Sequence, residues 1–173
     1  GKQSHIHIID IKHTLRGFLT AYHYLRELAK QNRVVLFVGT KQQAQNAVKE
    51  EATRCGMPYV SERWLGGTLT NFDTIRKQIG KLVTMEKIES DGTLQQYNKK
   101  EISAFRRKLE KLRTNLTGIR NMSRLPDILL VVDYKESKIA INEAKNMKIK
   151  TIGLVDTDGD PTDVNIAIPV NDD

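Results

Sequence analysis

Apolar positions along the chain follow two rhythms, and the rhythms mark out the elements. Four short runs read as strands: "IHIIDI" (6–11), "RVVLFVG" (33–39), "PDILLVVD" (126–133) and "KTIGLVD" (150–156). Three of them are nearly continuous in apolar residues, as strands covered on both faces are. Between them the spacing turns helical. Residues 14–31 place Leu15, Phe18, Leu19, Tyr22 and Leu25 on one side, and 41–55 do the same with Ala44, Ala47, Val48 and Ala52. Gly56 and Pro58 stop the second of these helices. A further helix over 137–147 uses Ile139, Ala140, Glu143, Ala144 and Met147, and "IAIPV" (166–170) reads as a final strand. Strands alternating with helices predict an α/β fold with a parallel sheet and right-handed crossovers.

The middle of the chain breaks that alternation. Phe72, Ile75, Ile79 and Leu82 are spaced 3, 4, 3, and Ile102, Phe105, Leu109, Leu112, Leu116 and Ile119 continue in the same manner. That is a heptad seam, and "ESDGTLQQYN" between the two stretches reads as the turn of an antiparallel coiled-coil hairpin. The expected division is a discontinuous α/β domain, 1–71 with 121–173, and a hairpin insertion, 72–120.

Charge sharpens this division. Residues 76–124 carry 13 Lys and Arg against 5 acids, whereas 125–173 carry 5 against 10. The whole chain, 173 residues with 39% hydrophobic and 28% charged residues, has a net charge of +7. An ordinary globular composition with a basic middle third points to an anionic partner for that third. Cys55 is the single cysteine, which excludes an internal disulfide and fits a reducing compartment. No run is long and apolar enough for a membrane helix, and no signal peptide opens the sequence.

Several stretches suggest chemistry. "VVLFVGTKQQAQ" is a strand, a turn at Gly39 and a helix with Thr40 as the expected cap; its N-terminus with Lys41 is a potential anion site. It lacks the glycines of a Walker A loop or a dinucleotide fingerprint, so an ordinary capped turn is favoured. "GLVDTDGDP" resembles the opening of haloacid-dehalogenase-type phosphatases, with Asp156 as nucleophile. The usual threonine is missing and too little chain follows, so an acidic turn is favoured. His5, His7 and His13 form no tetrahedral donor pattern, and no metal or cofactor is expected. Cys55 is expected to pack at a helix end rather than react.

Basic residues of the hairpin, Arg76, Lys77, Lys81, Lys99, Lys100, Arg106, Arg107, Lys108, Lys111 and Arg113, are favoured as a phosphate-facing surface. The stretch "ERWLGGTLTNF" (62–72) links the sheet to the hairpin. Arg63 can hold a phosphate, Gly66 and Gly67 permit a sharp bend, and Thr70 or Asn71 can cap the next helix. Trp64 either stacks on a base or plugs the junction, and the plug is favoured.

Taken in order, "HIIDIKHT", "VLFVGTKQQAQ", "EEATRCGMPYVSERWLGGTLTNFDTI", "LPDILLVVDYKESKIAINEA" and "VDTDGDPTDVNIAIPVNDD" resemble the family of the second protein of the small ribosomal subunit, in its bacterial or organellar form. The likeness spans nearly the whole chain. It implies a flavodoxin-like three-layer α/β/α domain with a five-strand parallel sheet and an inserted coiled-coil hairpin. It also implies a structural, non-catalytic role: binding small-subunit rRNA and neighbouring ribosomal proteins, in the cytoplasm or an organelle. RNA-binding candidates are Lys41, Arg63, Trp64, Arg76, Lys77, Lys99, Lys100, Arg106, Arg107 and Lys108. The family usually begins earlier, with a Gly-Val-His-Phe-Gly-His-like run, and ends later with a further helix; neither stretch is among these residues. "DTDGDP" stands where Asp-Thr-Asn-Cys/Ser-Asp-Pro is more usual. The alternative class is a phosphotransferase or nucleotide-binding domain using the Asp156 loop or the Gly39–Lys41 turn.

Overall fold

A computed structural model describes residues 9–156 and 159–171. In chain order it contains α1 (Ile11–Lys30), β1 (Val35–Val38), α2 (Gln42–Arg54), β2 (Tyr59–Val60), α3 (Phe72–Ser90), α4 (Lys99–Leu116), β3 (Ile128–Val131), α5 (Lys138–Asn146), β4 (Lys150–Asp156) and β5 (Ile166–Val170). Among the described residues one sheet forms, ordered β2-β1-β3-β4-β5. Every pairing is parallel, with Val38 beside Val131 and Val131 beside Gly153.

Near-continuous apolar runs follow from cover on both faces. Leu36, Val38, Leu129 and Val131 point into a core shared with α3, α4 and α5, through residues such as Ile75, Leu116 and Ala140. Their neighbours Val35 and Ile128 point the other way, into a smaller core with Ile152, Ile168 and Ala21 of α1. Alternating direction along a strand assigns each residue to its layer.

Helices α3 and α4 lie between β2 and β3 in the chain and pack on one another. Leu82 and Leu109 are fully buried between them, each worth about 1.5–3 kcal/mol relative to exposure. The turn joining them is well specified. Gly92 takes a left-handed φ of 82°, and a 3-10 turn covers Thr93–Gln96. Asn98 and Glu101 then form a reciprocal capping box: Asn98 Oδ1 accepts from Glu101 N at 3.0 Å, and Glu101 Oε2 accepts from Asn98 N at 3.1 Å.

Three sequence expectations need correction. Of the strand expected over 6–11, residues 6–8 lie outside the described residues, and Ile11 begins α1 instead. Asp10 caps that helix, its carboxylate accepting from Lys12 N at 2.9 Å. The edge strand beside β1 is β2, two residues between Pro58 and Ser61, too short for a periodicity signal. Finally, α1 does not bury the stripe its spacing suggests. It packs on β5 through the Gly17–Ala21 side, and Leu15, Phe18, Leu19 and Tyr22 stay exposed.

Candidate nucleic-acid interface

Two buried carboxylates shape the loops at the carboxyl end of the sheet. Asp133, just after β3, is 2% exposed. It accepts from the backbone N–H of Thr40 at 2.5 Å and of Lys41 at 2.7 Å, from Thr40 Oγ1 at 3.3 Å, and from the Ser137 hydroxyl. The N-terminus of α2, read from sequence as a potential anion site, therefore already holds an anion of the chain's own. The N-cap residue is Lys41 rather than Thr40, and it makes no side-chain cap bond. Thr40 spends its hydroxyl on Asp133 instead.

Glu143 does the equivalent for the loop "WLGGTLT". It lies in the middle of α5 and is 7% exposed. Its Oε1 accepts from Trp64 Nε1 at 3.1 Å and Gly67 N at 2.8 Å, and its Oε2 from Leu69 N at 2.9 Å and from Thr70 N and Oγ1 at 3.1 Å each. Burial alone would push the Glu143 carboxyl up. The N–H groups of Gly67, Leu69, Thr70 and Trp64 outweigh it and hold the group below the usual glutamate range. To aim successive N–H groups at one carboxylate the chain bends sharply, and Gly67 takes φ +90°, where a side chain would be strained. Thr70 thus bonds Glu143 rather than capping α3, and Asn71, the N-cap residue, makes no side-chain cap bond either.

Trp64 is 9% exposed and belongs to the larger core cluster with Leu69, Ile75 and Leu116. Its indole N–H is satisfied by Glu143. A buried, hydrogen-bonded indole is a plug at the junction of sheet and hairpin, with its faces closed to a stacking base. Where the chain returns from α4 to the sheet, Gly118 passes so close to Tyr59 that a Cβ would collide with the Tyr59 carbonyl oxygen. Arg120 donates to Glu86, and Arg113 donates to Glu86 at 3.2 Å, Glu89 at 3.1 Å and Glu110 at 3.5 Å. Those bonds, Arg120's first, outweigh partial burial and hold Glu86 below its ordinary range.

The remaining cations of the hairpin are placed differently. Arg76, Lys77, Lys81, Lys99, Lys100, Arg106, Lys108 and Lys111 are exposed and make no ion pair among the described residues. Arg107 is exposed and donates to the Ser103 hydroxyl at 3.2 Å, with no ion pair among the described residues. Arg63 is exposed beside the buried Trp64, whereas Lys41 is half-buried at the other βα turn. The predicted basic residues thus fall into a hairpin group and two separate loop positions.

Other sequence candidates are occupied or displaced. Asp156 lies 3.1 Å from Lys135 Nζ at the end of β4. Asp160 accepts from Thr162 N at 2.8 Å, and Asp163 from Lys145 Nζ at 2.8 Å and from the Tyr134 hydroxyl. Each of these three carboxylates thus has a partner within the chain. His13 sits 3.3 Å from Asp10, and His5 and His7 lie outside the described residues. Cys55 is exposed at the C-cap of α2, so the packing position there belongs to Ala52, which is fully buried. Sequence reading missed Asp133 altogether and counted Glu143 only as a helix-face residue. Each sits far along the chain from the loop it holds, 93 positions from Thr40 to Asp133 and 76 from Gly67 to Glu143.

A sequence profile described as ribosomal protein S2 matches residues 1–173. The chain is 49% identical over 173 residues to "Small ribosomal subunit protein uS2" of Rhodopirellula baltica and 50% identical to the protein of the same name from Campylobacter concisus. In both cases the match covers 100% of this chain and 66% of the relative.

Proposed function

Because the chain belongs to the ribosomal protein S2 family, we propose that it is a structural constituent of the small ribosomal subunit that holds rRNA phosphates with its helical hairpin. The observation that carries this reading is the row of exposed hairpin cations without carboxylate partners. A solvated helix surface ordinarily mixes signs and pairs them. Here the nearby acids Glu86, Glu89 and Glu110 are drawn onto Arg113 and Arg120. Unpaired cations near phosphate displace condensed counterions, which favours binding without base contacts.

In this reading residues 1–71 and 121–173 form the body and 72–120 a coiled-coil insertion that extends the basic surface. Helices of 19 and 18 residues carry it about 27 Å along the hairpin. Arg76, Lys77, Lys99, Lys100, Arg106, Arg107 and Lys108 contact phosphate, with Arg63 and Lys41 contributing from the body. Trp64 acts indirectly, by fixing the angle at which the hairpin leaves. Neighbouring small-subunit proteins are further partners. The setting is a bacterial-type ribosome in the cytoplasm, and the role is not catalytic. The phosphotransferase alternative loses its support because Asp133 already occupies the Gly39–Lys41 turn and Asp156 is paired with Lys135.

Co-sedimentation with small ribosomal subunits tests the proposal. The protein should travel with subunits at moderate salt and leave them as salt rises. Recovery only in the unbound fraction at low salt would refute it.

A further inference from the structure

The two flanks of the hairpin are chemically opposite. On α3, Lys81 comes one residue before the buried Leu82 and Glu86 four residues after it. On α4, Lys108 comes one residue before the buried Leu109 and Arg113 four residues after it. At 3.6 residues per turn, a residue one position back lies about 100° to one side of the seam, and one four positions on lies about 40° to the other. In an antiparallel pair, equivalent positions of both helices share a flank. Glu86 and Arg113 meet on one flank and bond directly. Lys81 and Lys108 meet on the other, close enough to interact directly.

We propose that Lys81 and Lys108 form a shared seat for a single RNA phosphodiester, while the Arg113 flank serves only to hold the hairpin together. This rests on the rRNA-binding reading above. Two ammonium groups held side by side repel each other, and neither has a carboxylate partner among the described residues. A phosphate oxygen pair between them reverses the sign of that interaction. The Lys81 ammonium is held below the usual lysine range, chiefly by the neighbouring Lys108 ammonium. On the opposite flank Arg113 is saturated by Glu86, Glu89 and Glu110, so it offers phosphate no free charge.

The test uses the full chain and small-subunit rRNA transcribed in vitro, with the slope of log affinity against log salt as the readout. Replacing both residues, as K81Q/K108Q, should lower the magnitude of the slope by about 0.7–0.9, the loss of one phosphate. K81R/K108R should restore it, because charge is what the seat supplies. Arg113→Gln should lower the unfolding midpoint and leave the slope alone. A K81Q/K108Q slope equal to that of the unchanged protein would overturn the seat, and would be the outcome if an acidic protein segment occupied this flank. A loss of about 1.4–1.8 would also overturn it, since the lysines would then hold two separate phosphates. Absence of salt-dependent binding by the unchanged protein would remove the underlying rRNA reading itself.

Discussion

The sheet body and the hairpin treat charge in opposite ways. In the body, the amide clusters at the start of α2 and in the 64–70 loop are each closed by an internal carboxylate, Asp133 and Glu143. These are the places where a nucleotide-binding α/β domain would receive phosphate. On the hairpin, Glu86, Glu89 and Glu110 are spent on Arg113 and Arg120, and most remaining cations face solvent without an ion-pair partner among the described residues. The same physics gives two results. An anion supplied from within fixes a loop; cations left without one form the surface proposed to receive phosphate.

That contrast predicts separable effects, and the largest belongs to the junction. Trp64→Ala should cost ~3–5 kcal/mol in denaturant unfolding of the free protein, as large-to-small core changes do. A loss below about 1 kcal/mol would mean that Trp64 is not a plug. Glu143→Gln comes next. Its new amide N–H groups face backbone donors that need an acceptor, so the cost should be about 1–3 kcal/mol. The same change should alter acid sensitivity. Glu143 is held below its ordinary value near 4.5, so the stability it contributes is full above that value and is lost as pH falls through the lowered one. Equilibrium unfolding as a function of pH should show less acid destabilisation in Glu143→Gln than in the unchanged protein; parallel profiles would contradict this. Asn98→Ala, which removes the capping box of α4, should cost only about 1 kcal/mol. An effect several-fold larger would show that the turn carries more of the hairpin's stability than the buried Leu82 and Leu109 contacts suggest.

How much of this could be read from the chain depends on the range of the interaction involved. The strands within 33–39 and 126–133, those at 150–156 and 166–170, and the apolar faces of α3 and α4 are written in local periodicity, and the structure reproduces them. The residues that close the loops are not local. Glu143 binds Gly67 across 76 positions, and Asp133 binds Thr40 across 93. A carboxylate at a buried helix position was the available signal, since an unpaired buried charge is costly. The periodicity of α5 absorbed Glu143 as one more face residue. The two-residue β2 is too short to show a period. The outer face of α1 has a core-like spacing that its packing on β5 leaves exposed.

The claim that matters most is that phosphate is held by the hairpin and not by the loops of the body. The direct test is the salt slope of rRNA binding in two variants of the full chain: Arg106, Arg107 and Lys108 all changed to Gln, and Lys41 with Arg63 changed to Gln. The hairpin variant should lower the magnitude of the slope by about 1.4–2.7, two phosphates for Arg106 and Arg107 and up to one at the seat Lys108 shares with Lys81, at ~0.7–0.9 each, while its unfolding free energy changes by no more than surface substitutions do, about 0.5 kcal/mol. The body variant should lower the slope by less. A hairpin variant with an unchanged slope, beside a body variant with a flattened one, would contradict the account and move the RNA to the loops that Asp133 and Glu143 close.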